Sequence, residues 1–94
     1  MRRILKFPIS EEGTYLQEPI ERFLSVQKQG DQLVLWAITE TMKPEEDWYV
    51  YGLGTGWPLL DNIRGEYLGT VQDGAYVWHF FVDRVHGAYD CGWM

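Results

Sequence analysis

The chain has 94 residues, which is enough for one domain and too few for two. Hydrophobic residues make up 46% and charged residues 23%, a globular composition that excludes a disordered chain. Its 14 acidic residues against 8 Lys and Arg give a net charge of −6, which disfavours long DNA or RNA ligands because they prefer basic surfaces. A small anion remains compatible, since a few well-placed amides and an arginine can hold a phosphate.

The chain shows no signal for export or membrane insertion. Its start resembles a signal peptide, but Lys6 and Pro8 interrupt it before an apolar core develops. The longest apolar run is far short of the ~20 residues that cross a bilayer. The single cysteine, Cys91, cannot form an internal disulfide, which suits a reducing compartment. We therefore expect a soluble cytoplasmic protein in which Cys91 is a spectator thiol.

Six strands are predicted from apolar or alternating runs between turn residues. Their ranges are 2–9, 20–29, 32–39, 48–53, 66–72 and 75–82. Polar connections are predicted at 10–19 and 40–47. Gly30-Asp31 and Asp73-Gly74 are predicted turns, and the second is the stronger because an Asp-Gly pair suits both central positions of a type I′ turn.

Short strands with tight turns indicate an all-β, mainly antiparallel fold, either a small six-stranded barrel or a sandwich. We expect a single β domain over residues 1–82 and a C-terminal tail or arm over 83–94. In the last hairpin, pairing Gln72 with Ala75 would place Gly69 opposite Trp78 and Tyr67 opposite Phe80. Both faces of that hairpin are apolar, which predicts that both are covered and favours an oligomer, a dimer or a tetramer.

In the earlier hairpin, one face is predicted to point into the core. That face carries Leu24, Val26, Leu33, Leu35 and Ala37. Trp36 is then expected on the opposite face beside Ser25, where a tryptophan serves as a subunit contact or a stacking platform.

Aromatic residues are unusually frequent, with five Trp, six Tyr and four Phe. A core this small does not hide fifteen rings, so we expect three or four of them at a ligand site or subunit interface. Core packing accounts for the others.

The clearest candidate site is the loop Gly54-Thr55-Gly56-Trp57-Pro58. Glycines let the backbone approach a ligand and leave amides free for an anion, Thr55 adds a hydroxyl, and Trp57 offers a stacking surface. Arg64 follows as a phosphate partner. The loop lacks a Walker lysine and a following helix, so neither nucleotide fingerprint is met, and an ordinary structural turn is the alternative.

Metal binding and catalysis are both disfavoured. His79 and His86 lie near Asp83, Asp90 and Cys91, but His79 sits in an apolar strand and is better explained as a hydrogen-bonded sheet histidine. No serine stands in a nucleophile elbow, and the paired carboxylates lie in polar loops. We therefore predict no cofactor, no metal and no enzymatic activity. The predicted ligand-binding residues are Trp36, Gly54, Thr55, Gly56, Trp57, Arg64, Tyr67 and His79.

Several short motifs occur in the order found in a known protein family. They are Lys6-Phe7-Pro8, Leu24-Ser25-Val26-Gln27, Leu35-Trp36-Ala37, Gly54-Thr55-Gly56 with Pro58, Tyr67-Leu68-Gly69-Thr70-Val71-Gln72, and Val77-Trp78-His79. Over residues 6–82 the chain resembles a widespread family of small proteins encoded by phages and prophages. That family usually has histidine where this chain has Trp57, which removes any role carried by that histidine.

The resemblance implies a function related to viral anti-defence sponges, of the anti-CBASS type. Such proteins sequester cyclic dinucleotides or related immune signals in the host bacterial cytoplasm, as oligomers, without cleaving them. The alternatives are a phage protein that inhibits or adapts a host protein, a small hydrolase acting on such signals, and a structural part of the virion.

Overall fold

The computed structural model describes residues 1–59 and 65–85, in which seven antiparallel strands form two sheets. The strands are β1 (Arg2–Ile9), β2 (Thr14–Glu18), β3 (Ile20–Gln29), β4 (Gln32–Glu40), β5 (Glu46–Gly54), β6 (Glu66–Asp73) and β7 (Tyr76–Arg84). One sheet has the order β1-β4-β3 and the other the order β2-β5-β7-β6. The predicted all-β antiparallel fold is confirmed.

Alternation along the strands explains which side chains are buried. In β1, Phe7 and Ile9 are buried whereas Lys6 and Pro8 are exposed, as the period of two of a strand requires. The core between the sheets draws on six of the strands. Its buried members are Phe7, Ile9, Ile20, Leu33, Leu35, Ala37, Val50, Val71, Phe80 and Val82.

The structure is a sandwich, and the barrel alternative is wrong. Strands β3 and β6 lie side by side, with the Lys28 ammonium 2.7 Å from the Asp73 carboxylate, yet they belong to separate sheets. At this seam Val26 lies against Gly69, where an added Cβ would be 3.0 Å from the Val26 Cγ2 atom. The seam is therefore closed by side chains instead of a hydrogen-bonded ladder.

The prediction of six strands is wrong by one, because the expected connection at 10–19 contains β2. The apolar side chain of Leu16 packs against the core, and Tyr15 points to the other side of the sheet. This five-residue strand pairs with β5 from Thr14↔Val50 to Glu18↔Glu46. Its two apolar residues, Tyr15 and Leu16, are adjacent and do not alternate with polar ones, so this short run does not stand out from a polar loop.

The turn of the last hairpin lies one residue later than predicted. Asp73 pairs with Tyr76, so Gly74 and Ala75 form the turn. Gly74 has φ +62° and no residue other than glycine has positive φ among the described residues, which fits a type II′ turn with glycine in its first central position. The predicted Gln72–Ala75 pair is therefore wrong, and Gln72 pairs with Val77.

Two irregularities in strand pairing also overturn predicted positions. Register shifts occur between Phe23 and Ser25 of β3 and between Tyr67 and Gly69 of β6. The first leaves Leu24 exposed, so its predicted core position is wrong, whereas Ser25 does pair with Trp36 as predicted. The second moves Tyr67 to a different face of the sheet.

Candidate functional site

Six of the eight predicted site residues surround one pocket on the four-stranded sheet. Its volume is about 240 Å³. It is lined by Leu53, Gly54, Thr55, Gly56, Trp57, Leu59, Tyr67, His79 and Phe81. The pocket opens on the outer face of this sheet, which is the face directed away from the three-stranded sheet.

The loop after β5 forms one wall of the pocket through a tight turn. The Trp57 amide donates to the Gly54 carbonyl at 3.1 Å, and the Thr55 amide donates to the Val77 carbonyl at 3.3 Å. A Cβ on Gly54 would lie 2.7 Å from the Trp57 ring, so the indole packs directly on the glycine backbone. Glycine at position 54 is therefore what allows Trp57 to fold back over the end of β5.

Trp57 is held against a second tryptophan but keeps an open surface. Its ring meets the Trp78 ring edge-on, with centroids 5.4 Å apart. More than half of Trp57 is exposed (54%), and so is 56% of Tyr67, which also lines the pocket. Two aromatic side chains are thus available for stacking on a flat ligand.

A continuous chain of hydrogen bonds crosses the pocket. The Thr55 hydroxyl is 2.7 Å from His79 Nε2, and His79 Nδ1 is 3.0 Å from the Thr70 hydroxyl. The Thr70 hydroxyl is in turn 2.5 Å from the Tyr67 hydroxyl. We call these four side chains the hydroxyl–imidazole chain. Hydroxyls donate and accept, so the chain accommodates either tautomer of His79.

The β-bulge in β6 is what brings Tyr67 into this chain. If pairing continued regularly beyond Gly69↔Phe80, Tyr67 would lie on the core side of the sheet. Leu68 is the extra residue of the bulge, and because of it Tyr67 pairs with Phe81 on the outer face. The predicted grouping of Tyr67 with Trp78 and Phe80 is therefore wrong. Gly69 likewise pairs with Phe80 and not with Trp78, and its open position faces Val26 of β3.

An aromatic row extends from the pocket across the outer face. Its members, in order, are Tyr15, Tyr49, Tyr51, Phe81 and Tyr67, and neighbouring ring centroids are 4.6, 5.4, 6.1 and 5.7 Å apart. Sequence reasoning missed this row because its members come from four strands. The sequence signal for the row was the pair Tyr49 and Tyr51, two aromatic residues at alternate positions of one strand.

Tyr51 in the middle of the row is electrostatically perturbed. Burial raises the pKa of its phenol, and the nearby Asp83 carboxylate raises it further. Asp83 lies opposite Tyr49 on the same face of the sheet. The row therefore has an acidic group beside Tyr49 and Tyr51.

The two other predicted site residues are not part of this pocket in the described structure. Trp36 lies on the outer face of the three-stranded sheet, where its Nε1 donates to Gln27 Oε1 at 2.9 Å and the Lys6 ammonium lies 5.6 Å from its ring. Arg64 lies outside the described residues. Its predicted role as a phosphate partner stays a prediction.

Within residues 1–59 and 65–85, no group of three or more His, Cys, Asp or Glu side chains is arranged to hold a metal ion. His86, Asp90 and Cys91 lie outside that part of the chain, as does most of the predicted tail. The described segments also contain no helix of the length and apolarity that a membrane span requires.

Comparison with known proteins gives a family but no characterised relative. No curated protein matches the chain, and no solved structure matches it. A family model does match, over residues 1–89, which is nearly the whole chain and includes every residue of the pocket. The chain therefore belongs to the family described as "Domain of unknown function (DUF7352)".

Proposed function

We propose that this protein binds a small anionic nucleotide without cleaving it, as a phage anti-defence sponge for a cyclic dinucleotide or related immune signal in the host bacterial cytoplasm. The observation that carries the proposal is the pocket itself. It combines exposed aromatic rings, a glycine-containing turn and a line of hydroxyl and imidazole groups in one place.

The aromatic walls suit a nucleobase. Trp57, Tyr67 and Phe81 all line the pocket, and the two most exposed of them offer open surface. Base–aromatic stacking contributes about 1–3 kcal/mol per base. Two stacked bases with a few charge-assisted hydrogen bonds reach sub-micromolar affinity, which corresponds to more than about 8 kcal/mol.

The turn at Thr55 and Gly56 suits a phosphate oxygen. Gly56 has φ +87°, a conformation that favours glycine and turns the backbone sharply beside the Thr55 hydroxyl. The Thr55 and Trp57 amides already donate to backbone carbonyls, so the proposed contact of this turn with an anion is made by the Thr55 hydroxyl. This arrangement compensates in part for the acidic balance of the chain.

The size of the pocket favours a ligand that is shared between two subunits. At about 240 Å³ the pocket is smaller than the usual ~300–1,000 Å³ of small-molecule sites, so it suits one base with its sugar better than a whole dinucleotide. A cyclic dinucleotide with two identical nucleotides has two equivalent halves, which a two-fold dimer would hold in two equivalent pockets. We therefore propose a homo-oligomer, dimer or tetramer, whose subunits meet on the outer face of the four-stranded sheet.

A thermal-shift panel of cyclic and linear dinucleotides and ADP-ribose-type nucleotides tests the proposal. A ligand at 100 times its dissociation constant stabilises the native state by about 2.7 kcal/mol, a shift on the order of ten degrees for a domain of this size. Tyr67→Ala should reduce the shift. Tyr76→Phe, which keeps the ring stacked on Trp78 and alters a tyrosine outside the pocket lining, should not.

Denaturing the complex and identifying the released nucleotide separates binding from hydrolysis. Intact nucleotide is the expected result. The hydrolase alternative has one supporting observation, since 2.7 Å between the Thr55 hydroxyl and His79 Nε2 is a distance typical of a nucleophile and its base. Recovery of cleaved product that disappears in Thr55→Val would replace the sponge with an enzyme.

The second candidate function is inhibition or adaptation of a host protein. The aromatic row extends beyond the pocket to Tyr15, which is 73% exposed, and tyrosine is common at protein interfaces. A single stoichiometric partner recovered by pull-down, lost in Tyr15→Ser and unaffected by nucleotides, would favour this candidate over the sponge.

A further inference from the structure

The hydroxyl–imidazole chain has a fixed number of protons to distribute. Three hydrogen bonds link its four side chains, and each link uses one proton. With neutral His79 the chain holds four protons, three on hydroxyls and one on the ring. One proton is therefore left over, and where the Thr70 hydroxyl both donates and accepts within these bonds, that proton points outward at either the Thr55 end or the Tyr67 end.

Protonation of His79 changes what both ends present to a ligand. The imidazolium donates from both ring nitrogens, so the hydroxyls of Thr55 and Thr70 must accept from it. The Thr55 hydroxyl then donates outward, and where Thr70 donates to Tyr67 the Tyr67 hydroxyl also donates outward. Both ends line the pocket. With His79 charged, the hydroxyl–imidazole chain thus offers two outward donors. With His79 neutral, it offers one donor and one acceptor.

We propose that an anionic phosphate group binds between Thr55 and Tyr67 and that its binding places a proton on His79. A phosphate or phosphodiester oxygen only accepts hydrogen bonds, so it matches the two donors that are present when His79 is charged. When His79 is neutral, the oxygen meets a lone pair at one end of the hydroxyl–imidazole chain. This inference rests on the proposed function, because it uses the same pocket, and it names which group supplies the positive charge.

The surroundings of His79 make it the natural source of that charge. The described lining of the pocket contains no Lys, Arg, Asp or Glu. Leu53 faces His79 from β5, and Thr70 and Tyr67 face it from β6, Tyr67 being the only titratable group among them. On β7 itself, Asp83 is four residues away, about 13 Å along the strand. Histidine is the side chain that ordinarily changes charge between about pH 5 and 8.

Nitrogen NMR of the His79 ring, with inorganic sulfate as the probe, tests the inference. Sulfate stands in for a phosphate dianion and keeps its charge between about pH 5 and 8, so any proton taken up belongs to the protein. We expect sulfate to shift both ring nitrogens of His79 to the imidazolium signature at a pH where the sulfate-free ring is neutral. Sulfate binding that leaves the ring neutral, or no binding at the pocket, would overturn the inference.

The pH dependence of sulfate affinity gives a second readout. Uptake of one proton on binding makes affinity fall by up to about tenfold per pH unit as pH rises. His79→Gln should abolish this dependence. Thr70→Val removes the acceptor for the Nδ1 proton and should flatten the pH profile, although the Thr70 side chain does not line the pocket. A full pH slope in Thr70→Val would contradict a positioning role for that residue.

Matched tyrosine variants locate the outward donor. Tyr67→Phe removes the hydroxyl at one end and should weaken sulfate binding several-fold while proton uptake persists. Tyr76→Phe removes the hydroxyl of a tyrosine of similar exposure outside the hydroxyl–imidazole chain and should leave binding unchanged. Equal effects of the two variants would show that sulfate does not bind between Thr55 and Tyr67.

The nucleotide panel and the sulfate titration can contradict the proposed function and the proton-uptake inference separately. A nucleotide that binds the pocket without proton uptake leaves the proposed function intact and overturns the inference. In that case His79 stays neutral, and the hydroxyl–imidazole chain pairs with the donor and acceptor groups on the edge of a base. Sulfate that charges His79 in a protein with no nucleotide ligand supports the anion site and contradicts the sponge.

Discussion

The position of the Trp57 ring depends on the absence of a side chain at Gly54. The indole lies on the Gly54 backbone and against Trp78, so the exposed stacking surface of the pocket depends on a glycine in a strand with ordinary backbone angles. Gly56, two residues later, is required for a different reason. Its Cβ would meet nothing, but its φ of +87° disfavours any L side chain.

Gly54→Ala is expected to displace the Trp57 ring, because the new methyl group would lie 2.7 Å from it. The near-ultraviolet circular dichroism of the Trp57–Trp78 pair should fall, and nucleotide binding should weaken with it. Gly56→Ala is the control and should cost about 1–2 kcal/mol of stability through backbone strain without altering the tryptophan signal. An unchanged signal in Gly54→Ala would contradict the packing described.

Tyr51 provides a residue-scale prediction for alkaline pH. Burial and the Asp83 carboxylate raise the pKa of its phenol in the folded state, which favours the protonated form. The resulting stability is fully present below the ordinary tyrosine pKa of about 10 and is lost as pH rises through the raised folded value. Asp83→Asn should therefore lower the pKa of Tyr51, as followed by phenolate absorbance.

The Tyr51 titration step needs an assignment control. Tyr51→Phe should remove one high-pH step from the absorbance curve, and the Asp83→Asn curve should differ from that of the parent protein only in this step. A curve for Asp83→Asn that matches the parent protein would show that the carboxylate does not act on Tyr51.

At the scale of the strands, bulges decide which side chains share a face. The bulge in β6 places Tyr67 beside Thr70 and His79, and the irregularity in β3 exposes Leu24 while Val26 faces the seam. Both lie where β3 and β6 meet. A one-residue irregularity reverses the facing of everything beyond it, so the pocket and the seam depend on the same local geometry.

Gly69→Ala should destabilise the protein by about 1–3 kcal/mol, because its Cβ would press on the Val26 methyl group across the seam. Adding Val26→Ala should recover part of that loss, a coupling of about 0.5–3 kcal/mol in urea denaturation. Gly30→Ala combined with Val26→Ala is the control, since nothing lies within 4 Å of a Cβ on Gly30. Additive effects in the Gly69–Val26 pair would argue against the close approach.

At the scale of the molecule, the four-stranded sheet has one face in the core and an aromatic row on the other. A small domain buries only a modest fraction of its surface, so covering such a row by association would add appreciable stability. The net charge of −6 on each copy opposes that association. Charge and apolar area therefore act against each other, and ionic strength sets the balance.

We expect self-association in sedimentation experiments to strengthen with added salt, which screens the repulsion between like-charged copies. Tyr15→Ser, at the exposed end of the row, should weaken it by about tenfold, or roughly 1.4 kcal/mol. Tyr76→Ser alters a tyrosine of similar exposure outside the row and should have little effect. A monomer at all salt concentrations would contradict the proposed dimer.

The pattern of residues along the chain determined the all-β class, six of the seven strands, the Gly30-Asp31 turn and the grouping of the Thr55 loop as a unit. These features are local, because a period of two and the backbone freedom of glycine express themselves within a few residues. Counting outward from the predicted turn also puts Thr70 and His79 on one face, but it pairs Thr70 with Val77, whereas Thr70 pairs with His79.

Only the tertiary structure decided how those pieces meet. The strand β2, the bulge beside Tyr67 and the separation of Trp36 from the pocket depend on contacts between segments far apart in the chain. The sandwich was settled in the same way, because β3 and β6 approach through Val26 and Gly69 without joining one ladder. Register across strands is set by packing over the whole core, and a sequence pattern of short range contains no information about it.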